Sequence, residues 1–387
     1  MVQSPNISNC LDVSCDLGTG SIRVAIKDVA DIEGIPTRLG SAAFSDAAPA
    51  EKNARVVDQL LARDFRIIGK AKMHELAYGV TGLNPHSGTP TNVKFPALIP
   101  GGSSSGSAVA VAAGVCDASI GTDTGGSVRV PAACCGVLGL KPTYGRVSRD
   151  GFTPSKSSLD CVGAFAKDAQ TLSSIMSAIV DDWKEGSNHN QHKLKFLNCD
   201  ADHKILSATQ SAAQLIDLNM THGTFDLLDP AHQAGLTIIA HETYAAFGAL
   251  LGRCDIDREV AKRLQGAAAI SDEDIQDAEQ VRDAAQIQID DLLDSCDVLA
   301  LPTLSGFPPA VADAGDLRAM VKITSLCRPF NLSGHPAIAI PLPPIDDRPL
   351  SLQLVARRGE DETLVEIAKS FEQIPELAPA SVESCNV

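Results

Sequence analysis

The chain has 387 residues, of which 44% are hydrophobic and 21% charged, and it carries a net charge of −16 at pH 7. That is the make-up of a soluble globular protein with room for one large α/β domain or two ordinary ones. The acidity excludes nucleic acid and anionic membrane as bulk electrostatic partners, because phosphate binding needs a basic surface.

No apolar run reaches the roughly 18 residues of a membrane span. Residues 1–20 lack the basic start and apolar centre of a signal peptide. Eleven irregularly placed cysteines with no C-x-x-C pair, two of them adjacent at Cys134 and Cys135, read as reduced and mostly buried thiols of a cytoplasmic protein.

In chain order, residues 22–26 read as a short strand ending at Lys27 and Asp28. Residues 53–62 have helical periodicity, and residues 66–68 form a strand. Residues 108–113 read as a buried helix, with Ser105, Gly106 and Ser107 around its N-terminus. Residues 128–140, small and apolar but interrupted by Pro131 and Gly136, read as extended core chain. A helix capped by Asp168 runs to Val180, and residues 188–192 form a polar loop. Helices then dominate to about Leu293, broken by a strand near residues 225–228. Ser271 with Asp274 forms a capping box that opens the last of them. Residues 298–301, 337–340 and 350–355 are strands, and residues 361–371 a closing helix. Strands at both ends of the chain with helices between them predict an α/β fold, a single large mixed β-sheet covered by helices on both faces.

The chemistry concentrates in residues 101–127, GGSSSGSAVAVAAGVCDASIGTDTGGS, close to half of which are Gly or Ser. Ser127 is the leading nucleophile. It follows Asp123, Thr124, Gly125 and Gly126, and the two glycines allow backbone N–H groups to converge on a developing oxyanion. The bland alternative is a glycine turn capped by serine. A serine nucleophile needs a base. None of the nine histidines lies in a comparable glycine setting. His189, His192 and His203 sit in polar loops, and His335, between Gly334 and Pro336, reads as a surface or turn residue. The G-x-S-x-G nucleophile elbow is absent around Ser127. Lys27 is the other candidate. At the end of an apolar strand its amine would be desolvated, and burial turns a lysine into a proton acceptor. Otherwise it is an ordinary surface charge.

The run GGSSSGSA…GTDTGGSVRVPAACCGVLGLKPTYGRVS resembles the amidase signature family. Further segments are also similar to that family: GKAKMHEL from Gly69, GTPTN from Gly88, residues 157–160, residues 297–303, NLSGHPA from Asn331, and residues 352–354. The resemblance implies a Ser-cis-Ser-Lys triad. Lys27 in RVAIKD matches the family's lysine, Ser103 its bridging serine, and Ser127 its nucleophile. It implies that N–H groups from Thr124 through Gly125 and Gly126 to Ser127 hold the oxyanion and that Ser104 supports the relay. Arg129 either pairs with an acidic group or substrate carboxylate, or anchors its loop. Asp123 braces the loop.

The implied protein is a single amidase domain over residues 1–387. Its catalytic core lies at about 20–170 and 295–372, and a helical, substrate-shaping segment at about 184–294. The implied activity is hydrolysis of a non-peptide carboxylic amide to an acid plus ammonia or an amine. The resemblance implies no cofactor and no metal. It also leaves open a homodimer, and the alternative of a glutaminase-like component of a tRNA-dependent amidotransferase. Three features depart from the family pattern: a short stretch before Lys27, a trimmed middle between Trp183 and Asp297, and Lys72 and Ser105 where Asn and Gly are usual.

Overall fold

A computed structural model describes residues 9–184, 192–315 and 322–377. Residues 188–191 of the expected polar loop, His189 included, lie outside the described residues.

The strands are β1 (Leu11–Leu17), β2 (Arg23–Lys27), β3 (Arg66–Ala71), β4 (Ala118–Asp123), β5 (Leu138–Lys141), β6 (Cys161–Ala166), β7 (Leu194–Asn198), β8 (Thr221–Thr224), β9 (Val298–Pro302), β10 (Ala337–Ile345) and β11 (Arg348–Ala356). They form one 11-stranded sheet in the order β1-β3-β2-β4-β6-β5-β10-β11-β9-β7-β8. It is mixed: β2 runs parallel to β3 and β4, and β7 parallel to β8 and β9, while the other pairings are antiparallel. The helices are α1 (Arg55–Ala62), α2 (Ser105–Ala112), α3 (Arg129–Cys135), α4 (Ala169–Ile179), α5 (His203–Ile216), α6 (Leu228–Phe247), α7 (Arg258–Ala267), α8 (Asp272–Leu293), α9 (Pro329–Leu332) and α10 (Asp361–Glu372).

Strand alternation explains why both faces are covered. In β9, Val298 and Ala300 join a core that also holds buried residues of α1, α4, α5 and α10. Leu299 and Leu301 point the other way and pack with α6 and α8. In β2, Val24 and Ile26 face the first core, and Ala25 faces a third that holds α2. Lys27 therefore emerges on the α2 side. Aromatic residues are 4% of the chain, so these cores are largely aliphatic, each fully buried Leu or Ile contributing roughly 1.5–3 kcal/mol. Among the described residues no helix is long and apolar enough to cross a membrane.

Several local expectations hold. Asp168 caps α4 by accepting from the Thr171 N–H, and Ser271 with Asp274 forms the capping box of α8. Others are corrected. Residues 128–140 are not extended, for α3 occupies most of them and β5 begins at Leu138. Pro131 sits in the first turn of α3, where its missing N–H costs no intrahelical bond, and Gly136 ends the helix at a left-handed φ of 64°. The strand expected near residues 225–228 is β8, a few residues earlier, and Leu228 already opens α6. With β7 it extends the main sheet, so the segment at about 184–294 is not simply helical. His335 is fully buried between Ser333 and Asp290 rather than at the surface.

Candidate active site

The parallel register of β2 on β4 sets Ile26 opposite Ile120, which brings Lys27 alongside Thr122. Lys27 Nζ lies 2.8 Å from Ser103 Oγ and 2.8 Å from Thr122 Oγ1. All three side chains are buried. Burial pushes the Lys27 amine down to about 7, against the opposing pull of the Asp160 and Asp123 carboxylates. The amine is thus poised to hold or release a proton near neutrality. The Gly102–Ser103 peptide is cis, the form the resemblance implies for the bridging serine. The His74 N–H donates to the Ser103 carbonyl at 3.0 Å and anchors that turn.

The Ser104 N–H donates to the Ser127 carbonyl at 3.4 Å, joining the two serine loops. The Ser104 hydroxyl faces elsewhere: Oγ donates to the Thr122 carbonyl at 3.2 Å and accepts from the Thr122 N–H at 3.4 Å. Ser104 clamps its loop onto β4 and adds no hydroxyl to the substrate side.

The loop carrying Ser127 is folded around one buried carboxylate. Asp123 accepts from the N–H groups of Gly126 at 2.6 Å, Val128 at 3.2 Å and Arg129 at 3.3 Å, and from Asn331 Nδ2 at 2.8 Å. It also pairs with the Arg129 guanidinium through Nε and Nη2, each at 3.0 Å. Burial opposes the charge on Asp123, but the Arg129 guanidinium and the Asn331 amide hold its carboxyl well below the usual range.

Two expectations are corrected here. Arg129 gives all five of its N–H groups to protein acceptors, the remainder going to the Cys327 carbonyl, Gln353 Oε1 and Asn331 Oδ1. It is a loop anchor with no donor left for a substrate. The Gly126 N–H, already held by Asp123, points away from an oxyanion. The φ of 116° at Gly126 makes that inward turn possible. Among the described residues the N–H groups of Gly125 and Ser127 have no protein acceptor, so the oxyanion donors narrow to that pair with Thr124 beside them. The Thr124 hydroxyl donates to Asp160 at 2.8 Å, and Arg149 holds Asp160 in turn at 2.9 Å.

Thr124, Gly125 and Ser127 line a cavity of about 200 Å³, faced by Tyr78, Arg263 and Arg328. Lys27, Ser103 and Thr122 lie beneath its floor. The arrangement suits attack by Ser127 on a carbonyl entering from the cavity, with the proton leaving into the buried side. Sequence reasoning missed Thr122, Asn331 and Arg328. Thr122 was within reach, since it lies on the same strand as the Gly121 to Asp123 motif and on Lys27's side of it. A serine–histidine–aspartate chain does exist at Ser333, His335 and Asp290, but Ser333 is fully buried and burial pushes His335 down to about 4. It has the geometry of a structural brace.

Residues 21–239 and 195–365 match a family model described as Amidase. The chain belongs to the amidase signature family. It is 33% identical to Amidase 1 of Oryza sativa subsp. japonica, covering 90% of this chain and 89% of that protein. It is 31% identical to the Translocon at the outer membrane of chloroplasts 64 of Pisum sativum, covering 91% of this chain but 65% of that protein's length. To the glutamyl-tRNA(Gln) amidotransferase GatA-type component of Methanospirillum hungatei it is also 31% identical, covering 91% and 92%. The fold of the family is shared: a solved amidase superposes with a TM-score of 0.81 at 29% identity, covering 91% of this chain and 84% of its own.

Proposed function

We propose that this family member hydrolyses the C–N bond of a small carboxylic amide, releasing an acid and ammonia or an amine. Neutral Lys27 takes the proton of Ser103, and Ser103 takes that of Ser127 as Ser127 Oγ attacks the amide carbonyl. The N–H groups of Ser127 and Gly125 hold the developing oxyanion in the water-poor cavity. The proton returns through Ser103 to the departing nitrogen, the C–N bond breaks, and water hydrolyses the resulting ester. The observation that carries this reading is the contact of 2.8 Å between a fully buried Lys27 and Ser103, on the loop tied to Ser127. Thr122 is a positioning residue, because its hydroxyl accepts from Lys27 and turns the amine's lone pair toward Ser103.

The test is ammonia or amine release from a panel of short aliphatic, aromatic, urea-like and dicarboxylic amides, with labelling by a neutral fluorophosphonate. Release that disappears in Ser127→Ala, together with labelling that disappears in the same variant, supports the reading. Labelling that persists in Ser127→Ala contradicts it. The similarity to amidotransferase components keeps glutamine in the panel. Ammonia release from glutamine that requires a copurifying second protein would select the glutaminase reading.

A further inference from the structure

Arg328 is built into the cavity wall with its charge unanswered. It is 7% exposed. Its Nη1 lies 2.9 Å from His232 Nδ1, and its buried Nε has no hydrogen-bond partner. Two glycines make room for it: a Cβ on Gly235 of α6 would stand 2.7 Å from Arg328 Cγ, and one on Gly125 would stand 2.9 Å from Nε. The unpartnered edge of the guanidinium therefore lies against Gly125, two residues from the nucleophile and on the same cavity.

The neighbouring charges do not neutralise it. Burial pushes His232 down to about 3, with Arg328 adding to the effect, so the imidazole is a neutral acceptor. Arg263 brings a second guanidinium to the cavity, lying 4.0 Å over the Tyr78 ring and bonded to the Tyr78 carbonyl. Neither arginine forms an ion pair among the described residues. The cavity's one lining carboxylate, Glu259, can offset one of the two cations. Burial, reinforced by Arg263, lowers Arg328 to about 9, which leaves it cationic at neutral pH. A buried guanidinium with an open edge is matched by a planar anion that can accept two parallel N–H bonds.

We propose that Arg328 receives a carboxylate on the acyl part of the substrate, making the protein selective for half-amides of short dicarboxylic acids. The proposal rests on the amide-hydrolase reading above. A volume of about 200 Å³ equals roughly seven waters of bulk liquid, which limits the acyl chain to a few carbons. With ammonia as the leaving group, the rest of such a molecule lies on the acyl side, between Ser127 and Arg328.

The test compares kcat/KM of the wild type on the half-amides of succinic and glutaric acid with kcat/KM on butyramide and valeramide. The expected preference is roughly 100-fold for the half-amides, since rejecting the neutral analogue leaves a buried cation unpaired. Arg328→Gln should collapse that ratio toward one, and Arg328→Lys should keep part of it. In Ser127→Ala, which turns nothing over, titration calorimetry reads the same preference as a Kd ratio and is independent of catalysis. Neutral amides hydrolysed as well as half-amides would overturn the carboxylate assignment and leave the hydrolase reading standing. Failure of Ser127 to label would overturn the hydrolase reading. The calorimetry then decides the present inference by itself: tighter binding of the half-amide, weakened by Arg328→Gln, supports it, and equal or undetectable binding refutes it.

Discussion

Ser127 separates two regions, each built on a buried cation left without an ion pair, and the two cations do opposite things. Beneath the cavity floor, Lys27 sits between two hydroxyls and burial brings it to about 7. In the cavity wall, Arg328 is comparably buried, yet at about 9 it keeps its charge. A desolvated ammonium gives up its proton within reach of neutral pH and becomes a base, whereas a desolvated guanidinium stays a cation and becomes a receptor. Arg129 is the third case, buried but paired with Asp123 and saturated with acceptors, and its work is architectural. Burial alone therefore does not assign a role. What decides is the headgroup's own basicity and whether its donors are already spent.

The largest way to break this division is to remove the nucleophile. Ser127→Ala should lower kcat by roughly 10⁶-fold, as loss of a nucleophile does in serine hydrolases generally, measured as ammonia or amine release. Lys27→Arg comes next. It keeps a cation in the floor but one that does not deprotonate, and kcat should fall by roughly 10³-fold or more. Recovery of activity in that variant at neutral pH would mean that a floor cation, rather than a base, is what matters. Arg129→Met should act on the fold, costing about 3–5 kcal/mol of unfolding free energy in a denaturant titration because Asp123 is left as a buried, unpaired carboxylate. Thr122→Val sharpens the comparison most finely. Losing one acceptor for Lys27 should lower kcat roughly tenfold. It should also move the acid limb of the pH profile to lower pH, since an ammonium with fewer acceptors is harder to keep charged. A merely structural role for Thr122 would leave that limb in place.

Much of the floor was legible in the sequence and little of the wall. Lys27, Ser103 and Ser127 stand in short motifs whose residue types announce the chemistry, and the apolar strand before Lys27 announces its burial. Arg328 lies in SLCRPFNLSG, where nothing local marks it. Its meaning comes from His232 and Gly235 on α6 and from Gly125, which meet only when the chain folds. Asn331 is similar, since its amide reaches Asp123 across 208 positions. In the fold, α3 was hidden because Pro131 and Gly136 look like breakers, although a proline in a first turn and a glycine just past a last turn are what a short helix tolerates. The edge strand β1 was readable and overlooked: Leu11, Val13, Cys15 and Leu17 alternate with Asp12, Ser14 and Asp16. The misplacement of β8 has a different cause. Its residues, Thr-His-Gly-Thr, are mostly exposed, so no buried face marks them.

The central claim is that a neutral lysine, acting through Ser103, activates Ser127. The direct measurement is the rate at which a neutral fluorophosphonate labels Ser127 in the wild-type protein as pH is varied, which needs no knowledge of the substrate. The sign follows from Lys27, whose depressed value of about 7 makes the protonated, inactive form dominate below that pH. The account predicts a labelling rate that climbs about tenfold per pH unit up to about 7 and levels off above it. A rate that stays flat through neutrality would contradict it.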